Sequence, residues 1–136
     1  MILVDTSAWV EFYRATGSAV DHRLTTLIAE TDEVVVTEPV VMEVLAGARD
    51  DRCERDLRRL LDRFPLLRFD PAVHFDGAVH IYRSCRRAGV TPRGMVDCMI
   101  ASVAMSAGTR LLAYDRDLAA MASVVDLALD DHSTTG

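Results

Sequence analysis

Five short runs of this chain are apolar at almost every position: Met1 to Val4, Val34 to Val36, Leu66 to Phe69, Leu111 to Tyr114 and Val124 to Leu129. Longer stretches whose apolar residues recur at helical spacing separate them, as in Val20, Leu24, Leu27 and Ile28. A strand with one wet face alternates polar and apolar residues, whereas a continuous apolar run must be covered on both faces. Such strands, alternating with helices, define an α/β protein with a central parallel sheet of four to five strands in a three-layer α/β/α sandwich. With 136 residues the chain makes one domain. It is assigned here to 1–129, and the polar stretch 130–136 is set aside as a flexible C-terminal tail.

Punctuation residues set the expected helix limits. Asp5-Thr6-Ser7 opens a helix carrying Trp9, Val10, Phe12 and Tyr13, and Ser18 with Asp21 at capping spacing opens the next. Thr37-Glu38-Pro39 starts a helix that runs to Gly47, and Asp50 or Asp51 caps another that Phe64-Pro65 stops. Asp70-Pro71 begins a helix ending near Gly89, Thr91-Pro92 begins one that Gly108 ends, and Asp117 caps a short final turn.

All fifteen basic residues are arginine, so every chemistry that depends on lysine is excluded, Walker-type phosphate loops and Schiff bases among them. The formal net charge of −6 argues against general coating of nucleic acid. Within that acidic chain, Gly77 to Val96 holds Arg83, Arg86, Arg87 and Arg93 and no acid. This is a locally positive segment, either a solvated helix face or a grip for phosphates. Arg49 to Arg63 is a second arginine-rich stretch with acids interspersed. Three cysteines without a C-x-x-C pair indicate neither a disulfide framework nor a thiolate zinc site. His22, His74, His80 and His132 lack ligand spacing and read as structural or surface groups. Asp5 follows the first apolar run with no basic leader before it, and no stretch is long and apolar enough to span a bilayer, so a cytoplasmic protein without membrane contact is expected.

Four acids stand nearly alone in segments that otherwise ask to be buried. Asp5 is the single charge from Met1 to Val10, Glu43 from Pro39 to Ala48, and Asp97 from Gly94 to Thr109, while Asp115 ends the Leu111 to Tyr114 run with Asp117 two residues on. Each has an ordinary explanation: Asp5 a helix cap, Asp115 an Asx-turn, Asp97 a partner for Arg93, Glu43 a partner for any arginine. Together they repel, and a fold that buries them needs compensating positive charge, from arginine or from a hard divalent cation with oxygen ligands. In open parallel sheets, ligands sit beyond the C-terminal strand ends where the connection order reverses. Adjacency of the first and fourth runs would place Asp5 beside Asp115, with Asp97 and Glu43 reaching the same crevice. Thr6 and Ser7 are either caps or groups that orient Asp5.

The segments Met1-Ile2-Leu3-Val4-Asp5-Thr6-Ser7-Ala8-Trp9, Pro39-Val40-Val41-Met42-Glu43-Val44-Leu45-Ala46-Gly47-Ala48-Arg49, Asp97-Cys98-Met99-Ile100-Ala101 and Leu111-Leu112-Ala113-Tyr114-Asp115-Arg116-Asp117-Leu118 resemble, in order and spacing, the four acidic motifs of the PIN-domain ribonucleases, and within them the VapC toxins of VapBC toxin–antitoxin modules. The chain departs from the pattern at Tyr114 and Leu118, which bears on how Asp115 and Asp117 divide their work. The resemblance implies a PIN-like fold and an Mg²⁺-dependent endoribonuclease, with Mn²⁺ as a substitute ion. It implies Asp5, Glu43, Asp97 and Asp115 as catalytic residues and metal ligands, with Asp117 as a helper in the metal site. It also implies a homodimer, or a heteromeric complex with a VapB-type antitoxin. A nuclease for RNA processing or DNA outside a toxin–antitoxin pair, and a non-catalytic nucleic-acid scaffold, are the competing readings. A phosphatase would want Asp-x-Asp at the first strand, where Asp5 is followed by Thr6-Ser7.

Overall fold

The centre of the sheet is β1 (Ile2–Val4), whose three residues have no accessible surface at all, as only a strand covered on both faces can. In the computed structural model, which describes residues 1–135, β1 lies between β2 (Val34–Val35) and β3 (Arg110–Leu112). Both neighbours run parallel to it, with Leu3 opposite Val35 on one side and Leu111 on the other. The first and fourth apolar runs are therefore adjacent, the condition under which Asp5 and Asp115 come together. The chain leaves β1 toward one edge and returns to the other, which opens a crevice at the C-terminal end of β1 and β3.

Seven helices are present among the described residues: α1 (Thr6–Tyr13), α2 (Ala19–Glu30), α3 (Glu38–Ala46), α4 (Asp51–Leu61), α5 (Pro71–Arg87), α6 (Met95–Ala107) and α7 (Arg116–Ala122). Their caps follow the sequence closely: Asp5, Ser18, Asp50 and Asp70 each accept a backbone N–H of the first turn. Gly108, at φ +64°, closes α6 in the left-handed region. The α5 and α6 helices pack so closely that a Cβ on Gly77 would lie 2.2 Å from Ser102 Oγ. No helix among the described residues is long and apolar enough to cross a membrane.

Four expectations are corrected. The sheet has three strands, not four or five, because the other two apolar runs add only the single parallel bridges Val36 to Leu66 and Leu111 to Leu129. Pro65 has no N–H to extend a ladder, and the Phe69 N–H is donated instead to Glu38 Oε1. Val124 and Val125 give their N–H groups to Met121 at the end of α7, so that run becomes extended late. The α6 helix begins at Met95 rather than at Pro92, since Gly94 is extended and occupies the cap position. The final helix is capped by Asp115, whose Oδ1 accepts the N–H groups of Asp117 and Leu118, and not by Asp117.

The stretch set aside as a tail is tied in over its described part. Asp130 is 2% exposed, Arg23 of α2 forks onto its carboxylate at 3.2 and 3.1 Å, and Thr134 bridges Tyr114. Gly136 lies outside the described residues.

Candidate functional site

The five acids singled out in the sequence are carried to the crevice by four pieces of regular structure. Asp5 is the first residue beyond β1, and its N–H bonds Leu112 O at 2.9 Å, which seats it against the end of β3. Glu43 lies in the second half of α3, Asp97 in the first turn of α6, and Asp115 and Asp117 at the start of α7. One carboxylate oxygen each from Asp97, Asp115 and Asp117 lie within 4.8 Å of one another.

Hydroxyls flanking Asp5 fix the deeper part of the site. Ser7 donates to Asp5 Oδ2 through both its hydroxyl, at 2.5 Å, and its N–H, at 3.0 Å. The same hydroxyl oxygen accepts the Tyr114 N–H at 2.9 Å, so one side chain ties the α1 cap to the segment leaving β3. Thr6 donates its hydroxyl to Glu43 Oε1 at 2.7 Å across 37 residues of sequence. The α1 cap is Asp5 rather than Thr6 or Ser7, and each of those two hydroxyls holds a carboxylate oxygen of the site.

The charge balance is lopsided. Asp5 is 3% exposed, and its Oδ1 is buried without any hydrogen-bond partner. Burial pushes its carboxyl up to about 6, against the lowering effect of the Ser7 bonds, and the charges of Glu43 and Asp115 push the same way as burial. Asp97 is pushed up to about 7, first by burial and then by the charges of Asp5, Asp115, Glu43 and Asp117. Asp5, Glu43 and Asp97 take part in no ion pair among the described residues, so the arginine partners considered for Asp97 and Glu43 are not found, whereas Asp5 does cap α1, the ordinary explanation considered for it.

Among the described residues Arg93 is the one arginine that forms an ion pair with the cluster, and its largely exposed side chain bonds Asp115 and Asp117 rather than Asp97. Lying before α6 rather than within it, it crosses to α7, where Nε bonds Asp117 Oδ2 and Nη2 bonds Asp115 Oδ2 at 3.2 Å. Arg93 therefore stands apart from the other three arginines of its segment. Arg83, Arg86 and Arg87 are exposed on the last turns of α5, where with Tyr82 they line a surface pocket of about 260 Å³. None of the three bonds the acidic cluster. Sequence reasoning did not find the double contact of Arg93 with α7, because it depends on the path of the 88–94 loop. The donors left for a cation are all carboxylate oxygens, which suit a hard divalent ion and not a soft one. A partnerless, buried Asp5 Oδ1 is the further observation that fits such an ion.

The sequence profile of the PIN domain matches residues 2–124. The chain is 43% identical over 128 residues to ribonuclease VapC11 of Mycobacterium tuberculosis, covering 93% of this chain and 96% of that one. It is 35% identical over 132 residues to ribonuclease VapC32 of the same organism, covering 95% and 96%. Among solved structures, a chain of VapBC2 from Rickettsia felis bound to a promoter DNA fragment superposes with a TM-score of 0.75 at 18% identity, over 96% of this chain and 98% of that one.

Proposed function

The chain belongs to the PIN-domain family, among the VapC ribonucleases, and from that premise we propose that it is the endoribonuclease toxin of a type II toxin–antitoxin pair, acting on RNA with a carboxylate-bound divalent cation, Mg²⁺ or in its place Mn²⁺. The observation that carries the reading is the convergence of five acids from β1, α3, α6 and α7 on one crevice, where among the described residues one arginine pairs with two of them and the other three have no ion pair. An RNA backbone would be repelled by such a cluster alone, and a bound cation offsets part of that charge and offers a phosphate oxygen a positive centre. The partner is a VapB-type antitoxin, as in the VapBC assemblies to which the fold is similar. Self-association as a homodimer belongs to the same reading.

Asp5, Glu43, Asp97 and Asp115 are the residues that hold the cation, directly or through water, with Asp117 beside them. When bound, the ion acidifies a water for in-line attack on phosphorus and neutralises charge on the departing 3′ oxygen. The rest falls to the chain's own groups. Ser7 fixes Asp5 Oδ2, so that the unpartnered Oδ1 is presented to the crevice. Thr6 engages Glu43 Oε1 and leaves Oε2 free. Asp115 Oδ1 is committed to the α7 cap, so Oδ2 is the oxygen available to a cation. One of these carboxylates accepts the proton of the attacking water. Arg83, Arg86 and Arg87 grip phosphates flanking the cut. The products carry a 5′-phosphate and a 3′-hydroxyl.

Incubation of structured and single-stranded RNAs with the protein in Mn²⁺ or in chelator tests the reading. Cleavage with Mn²⁺, none with chelator, and a loss of at least about 100-fold in Asp97→Asn are expected. Cleavage unaffected by chelator, or a fully active Asp97→Asn, contradicts it.

A further inference from the structure

Arg93 occupies a position that the proposed chemistry gives no role. Its side chain is 73% exposed, yet both donor-bearing faces of its fork that point inward are used, Nε on Asp117 Oδ2 and Nη2 on Asp115 Oδ2. These two oxygens belong to two of the three carboxylates that approach within 4.8 Å of one another. For Asp115 the consequence is sharp. Its Oδ1 already accepts the N–H groups of Asp117 and Leu118, at 2.7 and 3.1 Å, so the oxygen held by Arg93 is the only one it has to offer. Arg93 is also placed to leave. It stands between Pro92 and Gly94 in the link from α5 to α6, outside both helices, and none of its contacts is buried. A solvated guanidinium, 73% exposed, pairs with these half-buried carboxylates at little net gain, and a divalent ion at the same oxygens outcompetes it.

We propose that Arg93 is a built-in counter-cation which holds Asp115 and Asp117 in the cation-free protein, competes with the divalent ion for Asp115 Oδ2, and thereby sets the cation concentration at which the site fills. The proposal rests on the reading of the crevice as a cation site. It differs from a strut role, in which Arg93 pre-positions the two carboxylates and its loss weakens cation binding, so the two roles predict opposite signs.

Calorimetric titration of Mn²⁺ into the purified protein separates them, with the melting temperature in chelator as the check on folding. Arg93→Gln, which removes the charge and keeps a polar side chain, is expected to bind Mn²⁺ about three- to tenfold more tightly. Arg93→Lys, which keeps the charge, is expected to stay within about threefold of the parent. Equal or weaker binding by a folded Arg93→Gln overturns the proposal and leaves the cation site standing. Absence of Mn²⁺ binding by the parent overturns both. A second measurement needs no variant: in the parent protein the Arg93 Nε–H resonance is expected to move when Mg²⁺ is titrated to saturation. A resonance that stays in place at saturation overturns the competition.

Discussion

Ser7 shows how much positioning one small residue does in this site. Its hydroxyl donates to Asp5 and accepts from the Tyr114 N–H, so it joins β1 to the segment beyond β3 while fixing a carboxylate. Replacing it with alanine leaves the Tyr114 N–H without its acceptor and removes one of two donors from Asp5 Oδ2. Ser7→Ala is therefore expected to cost about 1–2 kcal/mol in denaturant unfolding and to lower RNA cleavage at least about tenfold. Because the Ser7 bonds hold the Asp5 carboxyl down against burial, the acid limb of the cleavage profile is expected to move to higher pH. Parent-like cleavage with an unshifted limb would remove Ser7 from the site. At this scale the sequence was legible: a lone acid in an apolar run, as at Asp5, Glu43 and Asp97, marks a group the fold keeps for a reason other than solubility. Arg93 was legible only as a positive charge, because its partners lie 22 and 24 residues away beyond α6.

Among the elements, helix starts with a side-chain acceptor were read directly, since Ser18, Asp50 and Asp70 act within three residues of sequence. Errors fell where a backbone N–H had a choice of partners. The Leu66 to Phe69 and Val124 to Leu129 runs have strand-like composition, yet their amides are taken by Glu38 and by the end of α7. The contacts of the last described residues were not legible for a related reason. Polar composition suggested a loose end, but Asp130 meets Arg23 from α2, more than one hundred residues away. Burial alone would raise the Asp130 carboxyl, and the Arg23 and His132 contacts outweigh it and hold the group below its ordinary range. Its contribution is complete above the unfolded value near 3.8 and is lost as pH falls through the lower folded value. Asp130→Asn is expected to lose about 2 kcal/mol at pH 7, more than an exposed pair would supply, and the gap to the parent is expected to close below about pH 4. An unchanged melting temperature at pH 7 would show that this segment does not anchor on α2.

For the molecule as a whole, the parallel order β2-β1-β3 is what gathers acids separated by more than one hundred residues; the alternation of apolar runs with helices was enough to foresee a parallel sheet, not the order of its strands. What the pattern could not carry was the division of labour between Asp115 and Asp117, which follows from α7 starting one residue after Asp115. The central claim is that the gathered acids form a cation site, and it has a thermodynamic signature apart from catalysis. In chelator, Asp5 and Asp97 titrate near 6 and 7 in the folded chain against 3.8 unfolded. Between those values the folded protein binds more protons than the unfolded one. The contribution of these two groups to stability is therefore fully present below about pH 4 and falls as pH rises toward 7. A cation that binds the ionised carboxylates removes this loss.

The most direct test is the melting temperature of the purified protein from pH 5 to pH 8, with chelator and with saturating Mn²⁺. The account predicts that the Mn²⁺ increment grows with pH, reaching about 5 °C or more at pH 8, and that it collapses in Asp97→Asn, which in chelator at pH 8 melts above the parent. An increment that is absent, independent of pH, or retained in Asp97→Asn would contradict it.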